Sequence, residues 1–492
     1  MTTVTEKNVA IMGAGLAGTV MAMFLARRGW NVAIYEMRPD PRTAGIYSGR
    51  SINMTLAVRG LSALAKVIDV GRILDLTIPL EGRMVHEVDG STRFHPYGIN
   101  QKEVIYAVTR SALNARLMDI AQTFPNIHIH FNHRCTAIDK KNWVVEVRNE
   151  ISRDVLQIAP DFLIGADGTF SSVRQQMHRH EYADFHQEYL ESGYRELVFT
   201  AGPQGTFQMP HNALHLWPRG KSMLMAIPNL DGTFASNCIL PLQGEESFAT
   251  LGAPGQVMDF FRSQFPDAVN LIDGLPDSFL QKSAGGFITT RAVPWYYRDR
   301  IVLIGDACHT VVPFYGLGMN AAFEDCAALD ACIEKHRENF ELAFQEYQYL
   351  RKPHTDVLAD LSVQNFRELR DKVRSYTLTA RKKVFSTLHR FFPKTVIPIY
   401  TLMSHSTMPF ADVLNRTCRQ DRIARYCGVD LPVALVAGFL AGKDFGRKSL
   451  RRPAGQKQTP VPDPKFIAFQ EVKVIATSEH LPKNAAEQKQ AS

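Results

Sequence analysis

The sequence has few cysteines and no pattern that would put them to structural use. Seven cysteines occur in 492 residues, and no two of them form a Cys-x-x-Cys pair. This argues against a disulfide framework and against a zinc module, and it favours a reducing compartment. We therefore predict a cytoplasmic location and no bound metal.

Long apolar runs are missing as well. The longest one near the C-terminus, LPVALVAGFLAG at residues 431–442, is much shorter than the roughly 20 residues that a spanning helix requires. The N-terminal residues run directly into a glycine-rich motif and show no secretory signal. We expect no membrane span.

Positive charge is in excess, but it is not spread over the chain. The net charge is +7, and from residue 443 onward ten Lys or Arg stand against five Asp or Glu. A basic tail is not a basic binding face, so we expect no nucleic-acid partner. Several prolines among polar residues predict a disordered tail at 446–492.

The order of apolar and polar segments predicts an α/β architecture. Residues 8–36 read as strand, helix and strand, and strand-like segments recur at 162–167 and 300–307. We predict a discontinuous Rossmann-like domain (1–180 with 291–335), an inserted antiparallel-sheet substrate domain (181–290) and a helical C-terminal region (336–445).

A glycine-rich motif joins the first strand to the first helix. Gly13 permits a tight turn, Gly15 lets a pyrophosphate approach the backbone, and Gly18 lets helix and strand pack closely. Glu36 ends the next strand, where a carboxylate can bind a ribose. Alone, the motif could be an ordinary glycine-rich turn; with strand, helix, strand and acid together it predicts a dinucleotide site.

Two later segments favour a flavin. Asp306 ends a strand, where it can hold ribityl hydroxyls, although by itself it could equally cap a helix. Gly316-Leu317-Gly318-Met319-Asn320 opens a helix whose N-terminus can stabilise the charge of a reduced flavin. His309, beside Asp306, is interpreted as structural and not as a base.

The third motif is Gly165-Ala166-Asp167-Gly168. In this order, the three motifs resemble those of the single-component FAD-dependent aromatic hydroxylases over residues 8 to about 330. The resemblance implies bound FAD, hydride from NADPH without a second nucleotide domain, and reaction with O2 to a flavin C4a-hydroperoxide. Consistently, the sequence contains no second Gly-x-Gly-x-x-Gly motif.

A closer resemblance, to the kynurenine 3-monooxygenase family, extends to about residue 410. It rests on GRSINMTLAVRG (49–60), GRMVH (82–86), HPYG (95–98), VIYAVTRSALN (104–114), FNHR (131–134), VPFYGLGMNAAFED (312–325) and IPIY (397–400). It implies hydroxylation of L-kynurenine to 3-hydroxykynurenine, a step of tryptophan degradation, with the flavin carrying the chemistry and no catalytic side chain.

The same resemblance implies the site residues. The substrate residues are Arg83, Tyr97, Asn365 and Tyr400, with Arg83 and Tyr97 on the carboxylate. The motifs and the resemblance together give the cofactor-binding set Gly13, Gly15, Leu16, Ala17, Gly18, Tyr35, Glu36, Met37, Arg38, Thr55, Arg110, Cys135, Asp306, Gly318, Met319 and Asn320. Leu317, Met54 and Thr55 depart from the family's usual residues, which puts the rate or coupling in question, not the reaction class.

Read without the family, the substrate residues are less distinctive. Arg83 could be a surface arginine, Tyr400 a core residue, and Asn365 a satisfied core amide within an apolar helix stripe. If Arg83 and Tyr97 hold one carboxylate, the hairpin needs a register that puts both on one face. A two-residue Asp89-Gly90 loop would place Arg83 opposite Pro96 and leave Tyr97 on the other face. A three-residue Asp89-Gly90-Ser91 loop, or an equivalent bulge, would place Arg83 and Tyr97 on one face, and this is the register that a shared carboxylate predicts.

Two alternatives stay open. The chain could be a related hydroxylase of a benzoate or a phenol, or, from another class, a flavin-binding protein without turnover. A monomer or a homodimer is expected.

Overall fold

The computed structural model describes residues 6–43, 53–98, 103–337, 339–371, 389 and 396–426. The predicted tail at 446–492, the end of the predicted helical region and residues 49–52 of the GRSINM motif lie outside these ranges. Within them, no helix combines the length and the apolar character needed to cross a bilayer.

The described residues form nineteen strands and twelve α-helices. The strands are β1 (Asn8–Met12), β2 (Asn31–Glu36), β3 (Asn53–Leu56), β4 (Thr77–Leu80), β5 (Gly82–His86), β6 (Thr92–Pro96), β7 (Ile105–Thr109), β8 (Ile127–Phe131), β9 (His133–Asp139), β10 (Val144–Asn149), β11 (Val155–Ile158), β12 (Phe162–Gly165), β13 (Asp184–Phe199), β14 (Ala213–Arg219), β15 (Ser222–Pro228), β16 (Phe234–Pro241), β17 (Gly285–Val293), β18 (Tyr296–Tyr297) and β19 (Ile301–Leu303). The helices are α1 (Leu16–Ala26), α2 (Val58–Leu64), α3 (Gly71–Leu74), α4 (Arg110–Ala121), α5 (Ser172–His178), α6 (Pro254–Gln264), α7 (Leu275–Gln281), α8 (Asp306–His309), α9 (Gly318–His336), α10 (Phe340–Asp371), α11 (Ile399–Ser404) and α12 (Phe410–Tyr426).

A six-stranded sheet forms the centre of the nucleotide-binding part. Its order is β18-β19-β12-β1-β2-β8, and every neighbouring pair except β18 and β19 is parallel. The inner strands are apolar along their length because both faces of a parallel sheet are covered. The carboxyl ends of β1, β12 and β19, which are far apart in sequence, therefore meet at one edge, as expected for an open α/β sheet.

A seven-stranded sheet forms the second large layer, in the order β17-β13-β16-β15-β14-β5-β6. It is antiparallel except where β5 runs parallel to β14. The hairpin of β5 and β6 thus extends a sheet whose other strands begin 88 or more residues after the hairpin ends. The α/β fold with an antiparallel sheet and a helical C-terminal part is confirmed; the domain boundaries stay predictions.

The apolar core has three clusters. One fills the space between the parallel sheet and helices α1, α9 and α10, and another lies beneath α6 and α7. The third joins the β5–β6 hairpin, the start of α9, and helices α10, α11 and α12. This third cluster brings Tyr97 and Tyr400 together, although about three hundred residues separate them in the chain.

Candidate active site

The glycine-rich turn after β1 leaves the N-terminus of α1 accessible. Gly13 has φ +105°, a backbone conformation that favours glycine. A Cβ on Gly18 would lie 2.0 Å from the Gly13 carbonyl oxygen, whereas a Cβ on Gly15 would meet no atom within 4 Å. Leu16 and Ala17 begin the helix, so their backbone N–H groups face the same side. The turn fits a pyrophosphate, because helix N–H groups attract an anion and Gly15 leaves room for it.

Glu36 lies beside this turn at the end of β2. Its two carboxylate oxygens accept hydrogen bonds from the Ala14 and Arg38 backbone N–H groups, each at 3.0 Å. Tyr35 is buried, while Met37 and Arg38 are exposed. Each carboxylate oxygen keeps a second lone pair, so Glu36 can accept a ribose hydroxyl as well.

Cys135, on β9, belongs to the same core as Tyr35. Burial raises the pKa of its thiol to about 12, with a smaller contribution from Asp167, so the side chain stays neutral. Asp167 is the third residue of the Gly165–Gly168 motif at the end of β12. Its Oδ2 accepts from the Val173 backbone N–H at 3.1 Å, but its buried Oδ1 has no hydrogen-bond partner within the described part of the chain. A buried unsatisfied carboxylate oxygen is costly, so Asp167 is a candidate ligand contact. The motif was recognised in the sequence, but this residue was not nominated.

Asp306 begins α8 at the same edge of the parallel sheet. The preceding Gly305 has φ +60°, and a Cβ on it would approach the Ala17 Cβ to 3.3 Å. The Asp306 side chain is accessible to solvent yet lies in a recess, and this partial desolvation raises its pKa, while nearby Arg110 and His309 lower it. The residue before Asp306 thus lies against Ala17, and Arg110 is close enough to Asp306 to lower its pKa.

The turn into α9 is fixed by one amide. Asn320 Nδ2 donates to the Thr55 and Gly316 carbonyl oxygens at 2.8 Å and 3.1 Å, and its Oδ1 accepts from the Ala57 backbone N–H at 2.8 Å. Thr55 Oγ1 donates to the Gly316 carbonyl at 3.0 Å. These bonds hold Gly318 and Met319, the first residues of α9, against β3. Leu317 is buried in the third core cluster, so this residue, which departs from the family pattern, has a packing role.

The hairpin register differs from the prediction. Arg83 lies opposite His95, and the loop is Val88-Asp89-Gly90, because Glu87 N–H donates to the Ser91 carbonyl at 2.9 Å. The predicted pairing of Arg83 with Tyr97 is therefore wrong. Asp89 Oδ1 accepts from Ser91 N–H at 3.0 Å and Gly90 takes φ +80°, which sets the turn one residue earlier.

The two side chains nevertheless share a face. His95 and Tyr97 are two residues apart, and side chains in a strand alternate, so Tyr97 lies diagonal to Arg83. The Arg83 guanidinium carbon is 5.3 Å from the Tyr97 ring centroid and 4.7 Å from that of Tyr400. The two tyrosine rings stack at 4.9 Å with an interplanar angle of 16°. Tyr315 continues the stack, at 6.2 Å from Tyr400.

This aromatic cluster surrounds a cation for which the described residues supply no counter-charge. Arg83 forms no ion pair with an acidic side chain among the described residues. Burial lowers the pKa of Arg83, but the hydroxyls of Tyr97 and Tyr400 outweigh this, so the pKa is raised and the group stays charged. The Tyr97 hydroxyl is buried without a hydrogen-bond partner of good geometry in the described ranges, and burial raises its pKa, so it stays a donor. A cation and a free donor together suit an anionic ligand group.

Asn365 lies next to this cluster on α10. Its Nδ2 donates to the Phe314 carbonyl oxygen at 2.8 Å, in the residue before Tyr315. Leu358 and Leu361 on the same helix face are buried, so the amide does sit in an apolar stripe. Contact between Asn365 and a ligand stays a prediction.

Tyr315 was not nominated from the sequence, although its place in the VPFYGLG stretch beside Gly316 was a signal.

Two further features bear on the chemistry. His309 Nε2 lies 2.5 Å from Asp325 Oδ2, both side chains are buried, and this proximity raises the His309 pKa and lowers that of Asp325 despite burial. His309 is thus engaged in an ion pair, as its structural interpretation required. The glycine-rich turn, the carboxylates of Glu36 and Asp306 and the N-terminus of α9 have the chemistry that FAD requires, and binding of FAD by these residues stays a prediction.

Comparison with known proteins agrees with this geometry. The family model described as FAD binding domain matches residues 6–338. A solved structure of 2-methyl-3-hydroxypyridine-5-carboxylic acid oxygenase superposes with a TM-score of 0.60 at 18% identity, covering 75% of this chain and 94% of that one. Fold and site together define an FAD-dependent monooxygenase.

Curated relatives define the family more narrowly. Kynurenine 3-monooxygenase of Salinispora arenicola is 41% identical over 445 residues, 90% of this chain and 98% of the relative. The protein of the same name from Anopheles gambiae is 37% identical over 434 residues, 88% of this chain and 89% of the relative. The chain belongs to the kynurenine 3-monooxygenase family.

Proposed function

We propose that the protein hydroxylates L-kynurenine to 3-hydroxykynurenine, using NADPH and dioxygen. The observation that carries this proposal is the Arg83 guanidinium, which lies against two stacked tyrosines without an acidic partner in the described part of the chain. Kynurenine combines a carboxylate with an aromatic ring, and the cluster offers a cation for the first and apolar walls for the second. The name shared by the relatives supports this substrate.

In this proposal, Arg83 and Tyr97 hold the carboxylate. The planar guanidinium can bind both oxygens, and the Tyr97 hydroxyl supplies a further hydrogen bond. Tyr400 closes the pocket by stacking on Tyr97, and Asn365 supports the neighbouring chain through the Phe314 carbonyl. These residues fix the ring in one orientation and keep water away from it, which matters because water admits wasteful side reactions.

When bound, FAD would supply the redox chemistry: hydride uptake from NADPH and transfer of one oxygen atom from O2 to the substrate ring. The glycine-rich turn and α1 would hold its pyrophosphate, Glu36 and Asp306 would bind its hydroxyls, and the N-terminus of α9 would stabilise negative charge.

No side chain needs to act as a base on the substrate. The ring amino group of kynurenine activates the adjacent carbon, which a phenol achieves only after losing a proton. His309, beside the cofactor motif, is held by Asp325 and is not free to take a proton. The protein's contribution is therefore placement and exclusion of water.

The decisive experiment is product identification. Purified protein with FAD, L-kynurenine, NADPH and 18O2 should yield 3-hydroxykynurenine carrying one labelled oxygen by mass spectrometry. Salicylate and 4-hydroxybenzoate, tested in parallel, should not stimulate NADPH oxidation. Stimulation by these acids alone would identify a related hydroxylase, and FAD binding without kynurenine-dependent oxygen uptake would identify a flavoprotein without turnover.

We further propose a cytoplasmic enzyme that is monomeric or homodimeric. The scarce cysteines without a Cys-x-x-Cys pair support a reducing compartment. Cell fractionation and sedimentation velocity with FAD bound test these two points.

A further inference from the structure

Arg59 joins α2 to the C-terminal helices. Its side chain is buried, with 1% exposure. Its Nε donates to the Met403 carbonyl oxygen at 2.8 Å, and its Nη2 donates to the Met408 carbonyl oxygen at 3.0 Å. The guanidinium also stacks over the Phe410 ring at 4.0 Å. One side chain thus holds the end of α11, the following loop and the start of α12.

The position of α11 matters because this helix carries Tyr400. With six residues, α11 is too short to be stable by itself, so tertiary contacts must place it. Met403 lies one turn after Tyr400, and its carbonyl is among those that a helix leaves without an internal partner at its C-terminus. A cation that binds such a carbonyl caps the helix and also fixes its direction.

A chain of buried ion pairs extends from Arg59 towards the cofactor motif. Glu324 binds Arg59 through Oε1 at 2.8 Å and Arg351 through Oε2 at 3.1 Å. Arg351 also binds Asp325 Oδ1 at 2.7 Å, and Asp325 Oδ2 accepts from Gly305 N–H at 3.2 Å. Gly305 directly precedes Asp306. Buried networks of this kind have few alternative geometries, because any unpaired member would be costly.

We infer that Arg59 is a positioning residue that holds Tyr400 against Arg83 and Tyr97, and that the Glu324–Arg351–Asp325 chain ties this position to the cofactor loop. The inference rests on the proposed function, since it assigns Arg59 an effect on kynurenine binding. Arg59 itself contacts neither Arg83 nor Tyr97 in the contacts described above, so it acts through α11.

The test compares Arg59→Lys with wild type and with a matched control. Lysine keeps the charge but cannot reach two carbonyls and a carboxylate at once. We expect Arg59→Lys to raise the KM for kynurenine by roughly three- to tenfold, the effect of about one lost hydrogen bond, and to raise the peroxide released per NADPH. Arg28→Lys is the control, because Arg28 also binds acidic residues of α9, Asp330 and Glu334, but lies away from α11.

A double-mutant cycle separates positioning from general destabilisation. In a Tyr400→Ala background there is no ring left to position, so Arg59→Lys should change KM no further. Phe410→Leu, which removes the stacking partner but leaves no buried charge unpaired, should give a smaller rise in KM of the same kind. An equal effect of Arg59→Lys in both backgrounds, or no effect in either, would overturn the inference.

A substrate-free measurement distinguishes failure of the inference from failure of the proposed function. Hydrogen exchange of the FAD-loaded protein should be faster in residues 399–410 of Arg59→Lys than of wild type, and unchanged in residues 8–26. If wild type does not turn over kynurenine, the proposed function fails while this comparison still reports on α11. Unchanged exchange in 399–410 would refute the role of Arg59.

Discussion

Replacing Arg83 by methionine removes the cation of the aromatic cluster and keeps most of its volume. A hydrogen bond to a charged group contributes about 1.5–3 kcal/mol, so losing this contact should raise the KM for kynurenine roughly 10- to 150-fold. The contact to the carboxylate is remote from the reacting carbon and equally strong before and during the reaction. We therefore expect kcat to change little.

The assay uses two substrates. Steady-state rates are measured as 3-hydroxylated product formed, first with L-kynurenine and then with its decarboxylated analogue kynurenamine. Wild type should prefer kynurenine by a factor similar to the rise in KM caused by Arg83→Met. The variant should treat the two substrates alike, because it lacks the group that distinguishes them.

Stability and a matched variant provide the controls. Arg83 has no acidic partner in the described ranges, so Arg83→Met leaves no buried carboxylate unpaired, and its melting temperature should equal or exceed that of wild type. Arg93→Met alters an exposed arginine of the same hairpin and should leave KM unchanged. A KM for Arg83→Met within twofold of wild type, or a retained preference for kynurenine, would refute the assignment of Arg83 to the carboxylate.

Three further predictions concern the stack, the glycine-rich turn and the buried ion pair. Tyr400→Phe keeps the stack on Tyr97 but loses the hydroxyl, so the KM for kynurenine should rise severalfold, which corresponds to about 1 kcal/mol. Tyr400→Ala should raise the KM further. A larger rise for Tyr400→Phe than for Tyr400→Ala in initial-rate measurements would contradict this. Gly15→Val should fold normally yet lose FAD absorbance, because its side chain would enter only the space predicted for the nucleotide. Gly18→Val should instead lower the melting temperature, because its side chain would clash with Gly13. Comparable FAD content in Gly15→Val and wild type would exclude Gly15 from the site. His309→Gln should destabilise the fold by about 1.5–3 kcal/mol near pH 6, because Asp325 loses its charged partner on Oδ2 while Arg351 still binds Oδ1. Because the His309 pKa is raised on folding, this loss should shrink as pH rises from about 6.5 through the folded-state pKa. A pH-independent loss in denaturant titrations would argue against the ion pair.

Local sequence patterns were sufficient to predict the glycine-rich turn. Gly13, Gly15 and Gly18 have distinct roles that follow from backbone geometry, and each role depends only on neighbouring residues. The hairpin turn was harder, because two possible loops differ by one residue. The hydrogen bond from the Ser91 backbone N–H to the Asp89 side chain accompanies the observed register. The sequence alone did not rank this arrangement above its alternatives.

The substrate cluster was predicted from the resemblance and not from pattern. Arg83, Tyr97 and Tyr400 each had an ordinary interpretation by itself, and Tyr315 was not selected at all. Arg59 and Asp167 were missed because burial and an unpaired oxygen are properties of the folded chain. A single arginine in a helix gives no sign that it will bind carbonyls more than three hundred residues away.

The sequence by itself determined the α/β class, the nucleotide turn and the order of the cofactor motifs, because these depend on hydrophobic period and on residues close together in the chain. Tertiary structure decided where the hairpin joins the second sheet, which face of the hairpin meets Tyr400, and how Arg59 fixes α11. These outcomes depend on long-range packing. Among the described residues no acidic side chain pairs with Arg83, and the surrounding rings, brought together by folding, compensate its burial.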